Sequence, residues 1–181
     1  MSDMWLPEDE DPRFQDQQAQ PRGERAVDVQ YLKNYRATLE LKCQGLDAEQ
    51  IARRSVPPST MSLLGLVRHL AGVEHSWNKR VLQGNMELPR LEISTRPEDR
   101  DWDFNGAQGT DACVEEAWTA WRREVAEAEA WLETDDFDRL VTLDGDEIEV
   151  RDIVVHLVEE YARHVGHADL LRECIDGRTG Q

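Results

Sequence analysis

The chain has 181 residues, enough for one domain whose buried core needs no disulfide to fold. Its formal net charge of −17, from 38 acidic and 21 basic residues, disfavours binding to nucleic acid or to anionic membranes, since both repel an acidic surface. Three widely spaced cysteines without a CxxC pair, and no apolar leader or apolar run of about 18 residues, predict a cytoplasmic protein without a membrane span or zinc ribbon.

Residues 1–23 are predicted to form an acidic N-terminal arm. They are polar, contain three prolines and show no hydrophobic periodicity. Trp5, Leu6 and Phe14 are the side chains through which this arm could lie on the body of the protein. The remainder, residues 24–181, is predicted to be one helical domain.

Four helical segments are predicted in this domain from apolar residues that recur every three or four positions. They span about residues 24–45, 59–83, 110–132 and 150–175. Arg36 interrupts the apolar face of the first segment. A short helical turn is expected near residues 47–53, and Asp144-Gly145 predicts either a small hairpin or a loop.

The last segment has the most regular pattern. From Val150 to Ile175 its buried positions follow steps of four and three, which is typical of a seam in a helical bundle, and His164 lies in that seam. Residues 84–109, by contrast, lack periodicity and predict a long loop, of a kind that is usually functional or mobile. Because it contains Trp102 and Phe104, part of the loop is expected to fold back onto the body, with Trp102 or Phe104 near the substrate.

Three side chains on these segments suggest a metal site. His69 lies at the edge of the apolar face of the second segment, and Glu160 precedes His164 by one helical turn. A carboxylate and an imidazole buried without partners would each cost several kcal/mol. A divalent cation held by His69, Glu160 and His164 would satisfy all three and leave open positions for water or substrate.

A simpler alternative is a direct hydrogen bond between the carboxylate and the imidazole, because an E-x-x-x-H pair alone is a weak signal. His167 is the strongest substitute ligand, since it lies on nearly the same face of the helix. His75 and His156 are expected at the surface or behind the ligands. Glu74 and Glu159 are expected to be solvated.

Two segments carry a resemblance to a known family. Residues 59–70, STMSLLGLVRHL, resemble the second helix of DinB/YfiT-like proteins. Residues 155–172, VHLVEEYARHVGHADLLR, resemble their last bundle helix. The resemblance covers residues 25–178 and is greatest to the actinobacterial branch labelled mini-circle protein.

The resemblance implies an all-α fold, an up-down-down-up four-helix bundle in which residues 84–109 are part of a long crossover. It also implies one divalent metal ion, with zinc or nickel expected. Family ligands are commonly three histidines, and here His69 and His164 match them. Glu160 stands where the family usually has the third histidine, which is similar to the mycothiol-dependent maleylpyruvate isomerases.

The function implied by the resemblance is a metal-dependent S-transferase or isomerase that joins a thiol of the mycothiol type to a small electrophile. The expected partners are a small-molecule substrate, a low-molecular-weight thiol and a second copy in a homodimer. No catalytic residue beyond the ligands is assigned. The alternatives are a non-catalytic metal-binding or stress-related bundle and a purely structural bundle.

Overall fold

The computed structural model describes residues 6–7, 9–14 and 21–180, and this part of the chain is mostly helical. Its elements, in chain order, are α1 (Glu24–Cys43), α2 (Ala48–Ile51), α3 (Leu63–Glu74) with a π-helical continuation (His75–Leu82), α4 (Trp102–Asn105), α5 (Asp111–Leu132), β1 (Leu140–Leu143), β2 (Asp146–Glu149) and α6 (Val150–Asp176). The predicted all-α class is confirmed, with one small hairpin among the described residues.

Local capping explains where the long helices begin and end. α3 begins later than predicted because the hydroxyl of Ser62 accepts a hydrogen bond from the backbone N–H of Gly65 at 3.1 Å. Thr110 caps α5 through the N–H of Cys113 at 3.3 Å. α6 ends at Gly177, whose φ of 76° is the left-handed conformation that terminates helices.

The hairpin lies where Asp144-Gly145 predicts a turn. β1 and β2 are antiparallel, with Leu140 opposite Glu149. Asp144 and Gly145 have φ values of 52° and 97°, the signature of the two-residue turns that match the twist of a hairpin. β2 leads directly into α6, so the hairpin fixes the start of that helix.

Polar contacts show that α1 and α6 run in the same direction. At their starts, Arg151 forms an ion pair with Glu24. At their ends, Nη1 of Arg172 donates to the carbonyl oxygen of Lys42 at 2.9 Å. The two helices therefore lie side by side over most of their length.

α3 and α5 form a second parallel pair. Near their starts, Nη1 of Arg68 lies 3.6 Å from Sγ of Cys113. Further along, Nζ of Lys79 forms an ion pair with Glu127 at 2.8 Å. Residues of all four long helices meet in one hydrophobic core, which includes Leu32, Leu39, Leu66, Leu70, Trp121, Leu132, Leu157 and Leu171.

A buried ion pair sits within this core. Arg36, which interrupts the apolar face of α1, is 3% exposed and donates to both carboxylate oxygens of Glu74 at 2.8 Å. The hydroxyl of Tyr161 donates to Glu74 at 2.7 Å and accepts from Nε1 of Trp121 at 2.8 Å. The expectation that Glu74 is solvated is wrong, because a guanidinium group from α1 neutralises it inside the core.

Most of the predicted arm, including Trp5, lies outside the described residues. Leu6 lines a cavity together with Leu41 of α1 and Trp118 of α5, so this part of the arm lies near both helices. The side chain of Phe14 is 48% exposed. Among the described residues, no helix combines the length and the apolar character that crossing a membrane requires.

Candidate metal centre

α3 and α6 pack together and bring the three predicted ligands to one place. One ligand atom from each of His69, Glu160 and His164 lies within 4.8 Å of the others. Oε2 of Glu160 is 3.4 Å from Nε2 of His164 and 3.8 Å from Nε2 of His69. The two imidazole centroids are 4.6 Å apart. Residues separated by about 90 positions in sequence therefore converge on one small space.

The polar atoms in this space fit a divalent cation. Nε2 of His69 is buried and has no hydrogen-bond partner among the residues that the structure describes, which would cost free energy if the space held no ligand. A direct Glu160–His164 hydrogen bond would not relieve this cost, because it leaves His69 unsatisfied. Two imidazoles and one carboxylate are a donor set that suits zinc, nickel and iron.

A carboxylate from the long loop contacts the second ring nitrogen of His69, Nδ1. Oδ2 of Asp103 lies 2.8 Å from Nδ1 of His69, and the Asp103 side chain is 8% exposed. Since a carboxylate can only accept, we assign the ring proton to Nδ1. The lone pair on Nε2 is then directed toward Glu160, as in many metal-binding histidines.

His164 is held in a neutral state. Burial and, to a smaller extent, the neighbouring His69 lower its pKa to about 4, although Glu160 acts in the opposite direction. Nδ1 of His164 lies 3.4 Å from Nδ1 of His167. With His164 as the donor, its Nε2 is unprotonated, the form that a metal ligand requires. His167 thus contacts Nδ1 of His164 and is not one of the three residues of the cluster.

The remaining two histidines lie outside the ligand cluster. Nε2 of His156 is 3.7 Å from Oε1 of Glu160. The His156 ring packs edge-on against the Trp77 ring, with centroids 4.6 Å apart. His75 is 7% exposed, so it is buried and not at the surface. Its Nε2 lies 3.0 Å from the carbonyl oxygen of Pro89, which ties the long loop to the π-helical segment.

The loop also forms one wall of a cavity beside His69. The cavity has a volume of about 1060 Å³, and its lining includes Trp77, Ser94 and Asp103. Phe104 stacks on the His69 ring, with centroids 5.8 Å apart. Trp102, the other aromatic residue expected near the substrate, lies instead beneath the guanidinium group of Arg96 at 3.8 Å.

Comparison with known proteins identifies the family. The family model described as Mycothiol-S-transferase matches residues 29–177. The chain belongs to the mycothiol-S-transferase family. The predicted resemblance to DinB-like, mycothiol-related proteins is thereby confirmed. No curated protein and no solved structure matches the chain significantly.

Within this mycothiol-S-transferase family member, the three ligand candidates lie inside the matched range. Sequence reasoning missed Asp103, because an acidic residue in an acidic loop carries no periodicity. A signal for the loop contact did exist on α3. Gly65 and Gly72 flank His69 on the same helical face, and helix glycines there indicate close approach of another segment.

Proposed function

We propose that the protein is a metal-dependent thiol S-transferase, or a related isomerase, in which His69, Glu160 and His164 hold one divalent ion. The observation that carries the proposal is the buried Nε2 of His69, which faces Glu160 and His164 and has no hydrogen-bond partner in the described part of the chain. Zinc or nickel suits this donor set. When bound, such an ion would supply the positive charge that lowers the pKa of a thiol at neutral pH.

The substrates would be a low-molecular-weight thiol of the mycothiol type and a small electrophile. The thiol sulfur forms a bond to the electrophilic carbon, and the thiol proton and the leaving group are released. The cavity of about 1060 Å³ beside His69 is at the upper end of ligand pockets, so it has room for both molecules. Trp77 supplies aromatic surface in this cavity, and Phe104 stacks on the ring of His69.

We also propose that the four long helices form the up-down-down-up bundle implied by the family. Nη1 of Arg25 donates to the carbonyl oxygen of Leu132 at 2.7 Å, so the start of α1 lies beside the end of α5. The parallel pairs α1/α6 and α3/α5 therefore point in opposite directions. Since α3 and α5 are parallel neighbours, the chain must return along the bundle between them, which is the role we assign to residues 84–109.

The function is tested by metal content and thiol-dependent turnover measured on one preparation of untagged protein. We expect about one equivalent of ion and consumption of an electrophile such as 1-chloro-2,4-dinitrobenzene that requires mycothiol, bacillithiol or glutathione. Glu160→Gln should lose both. Glu159→Gln, an exposed neighbour on the same helix, is the matched control and should keep both.

Two results would contradict the proposal in different ways. Full metal content without thiol-dependent consumption of any electrophile would favour a non-catalytic metal-binding bundle. Fewer than about 0.2 equivalents of transition metal after gentle purification would favour a structural bundle. A cytoplasmic location and a homodimer are further proposals, which cell fractionation and light scattering would test.

A further inference from the structure

We propose that residues 91–106, here called the docking segment, are a working part of the metal centre, with Asp103 as the positioning residue of His69. The inference rests on the proposed metal site and extends it. The ligands themselves lie on two helices, whereas the docking segment belongs to the long loop between α3 and α5. The segment would therefore set how tightly the ion is held.

Asp103 is fixed from several directions. Its backbone N–H donates to the carbonyl oxygen of Ser94 at 3.2 Å, and its own carbonyl oxygen accepts from Nε of Arg68 at 3.0 Å. One carboxylate oxygen accepts from the N–H of Phe104 at 2.9 Å, and the other faces Nδ1 of His69 at 2.8 Å. Both oxygens are thus engaged, and the carboxylate has little freedom to turn away.

The surface of α3 is shaped to receive the docking segment on both sides of His69. Gly65 lies one turn before His69, and a Cβ there would be only 2.5 Å from the Phe104 ring. Gly72 lies one turn after His69, and a Cβ there would collide with the side chain of Ser94. The two glycines therefore allow the segment to lie directly against the helix and to bring Asp103 to the imidazole.

This geometry links ion binding to docking of the loop. The hydrogen bond to Asp103 orients the His69 ring and increases the electron density on Nε2, and loss of such partners weakens metal binding about 10- to 100-fold. The linkage is reciprocal, so an ion that binds more tightly to the docked form must also stabilise docking by the same factor.

The first test is the zinc affinity of metal-free protein, measured by competition with a chelator. We expect Asp103→Ala to bind zinc about 10- to 100-fold more weakly. The zinc affinity of Asp103→Asn should lie between those of Asp103→Ala and the unmodified protein, because the amide oxygen still accepts a hydrogen bond from Nδ1 of His69. Asp146→Asn, at an exposed position in the hairpin and outside the docking segment, should bind zinc like the unmodified protein. Circular dichroism of the metal-free variants checks that each is folded.

The second test is hydrogen exchange of backbone amides with and without saturating zinc. Zinc should slow exchange in residues 91–106 of the unmodified protein and leave the hairpin, residues 140–149, unchanged. In zinc-saturated Asp103→Ala the slowing should be lost. Zinc affinity unchanged in folded Asp103→Ala, or equal slowing in both proteins, would overturn the role of Asp103. Failure of the unmodified protein itself to bind zinc would instead overturn the proposed metal site.

Discussion

The three cysteines differ in burial and therefore in the reactivity expected of their thiols. Cys43 is 6% exposed in the core, and burial raises its pKa to about 12. Cys174 is exposed on α6, and Cys113 is half-buried beside Arg68. All three are free thiols, as expected from their wide spacing. None of them belongs to the His69 cluster found among the described residues.

This difference predicts selective alkylation. At pH 9, three units below its pKa of about 12, only about a thousandth of Cys43 is thiolate, so iodoacetamide should leave it unmodified while Cys174 reacts. Mass spectrometry of peptides from the alkylated folded protein measures the order in which the cysteines react. Unfolding in guanidinium should make the two residues react alike. Equal rates in the folded protein would contradict the burial of Cys43.

At the scale of secondary structure elements, two helix glycines have opposite surroundings. Gly72 of α3 faces Ser94 across a distance too short for a Cβ atom. Gly166 lies in the middle of α6 and is exposed to solvent. A Cβ added there would meet no other described segment within 4 Å. A glycine is needed for packing in the first helix, whereas in the second it only lowers helix propensity.

Replacing each glycine with alanine should therefore change stability in opposite directions. Gly72→Ala should lower the free energy of unfolding by about 1–3 kcal/mol, because the docking segment must move away from α3. Gly166→Ala should raise it by about 0.5–1 kcal/mol through improved helix propensity. Urea denaturation measures both values. A stabilising Gly72→Ala would show that the loop does not pack as described.

The elements also show what the sequence can predict. The hairpin and the starts of α5 and α6 follow from local signals, namely a turn dipeptide, a capping threonine and an unbroken seam. The pairing of Arg36 with Glu74 could not be predicted, because it joins residues 38 positions apart and has no periodicity. Asp103 was missed for the same reason, since its partner His69 is 34 positions away.

At the scale of the whole molecule, one chain of hydrogen bonds joins all four long helices. It runs from Arg36 on α1 to Glu74 on α3, then through Tyr161 on α6 to Trp121 on α5. Every member is at most 3% exposed. Burial and the nearby charge of Glu74 raise the pKa of Tyr161, so its hydroxyl stays protonated as a donor.

This network predicts that a single variant of the ion pair is much less stable than the double variant that removes both charges. Glu74→Leu should destabilise the protein by about 3–5 kcal/mol, because it removes the buried carboxylate that binds the Arg36 guanidinium and leaves the partly exposed Glu129, 3.3 Å from Nη1, as its counter-charge. The double variant Arg36→Met/Glu74→Leu should recover most of that loss. Urea denaturation of the four proteins forms a double-mutant cycle. Additive losses in the double variant would contradict a coupled, buried ion pair.

The proposed divalent ion between His69, Glu160 and His164 can be located directly. Anomalous diffraction at the absorption edge of the resident metal tests this most directly, using crystals of the untagged protein. We expect one strong peak about 2.0–2.2 Å from Nε2 of His69, Nε2 of His164 and a carboxylate oxygen of Glu160. Fully ordered ligands with no peak between them, or a metal bound elsewhere, would contradict the proposal.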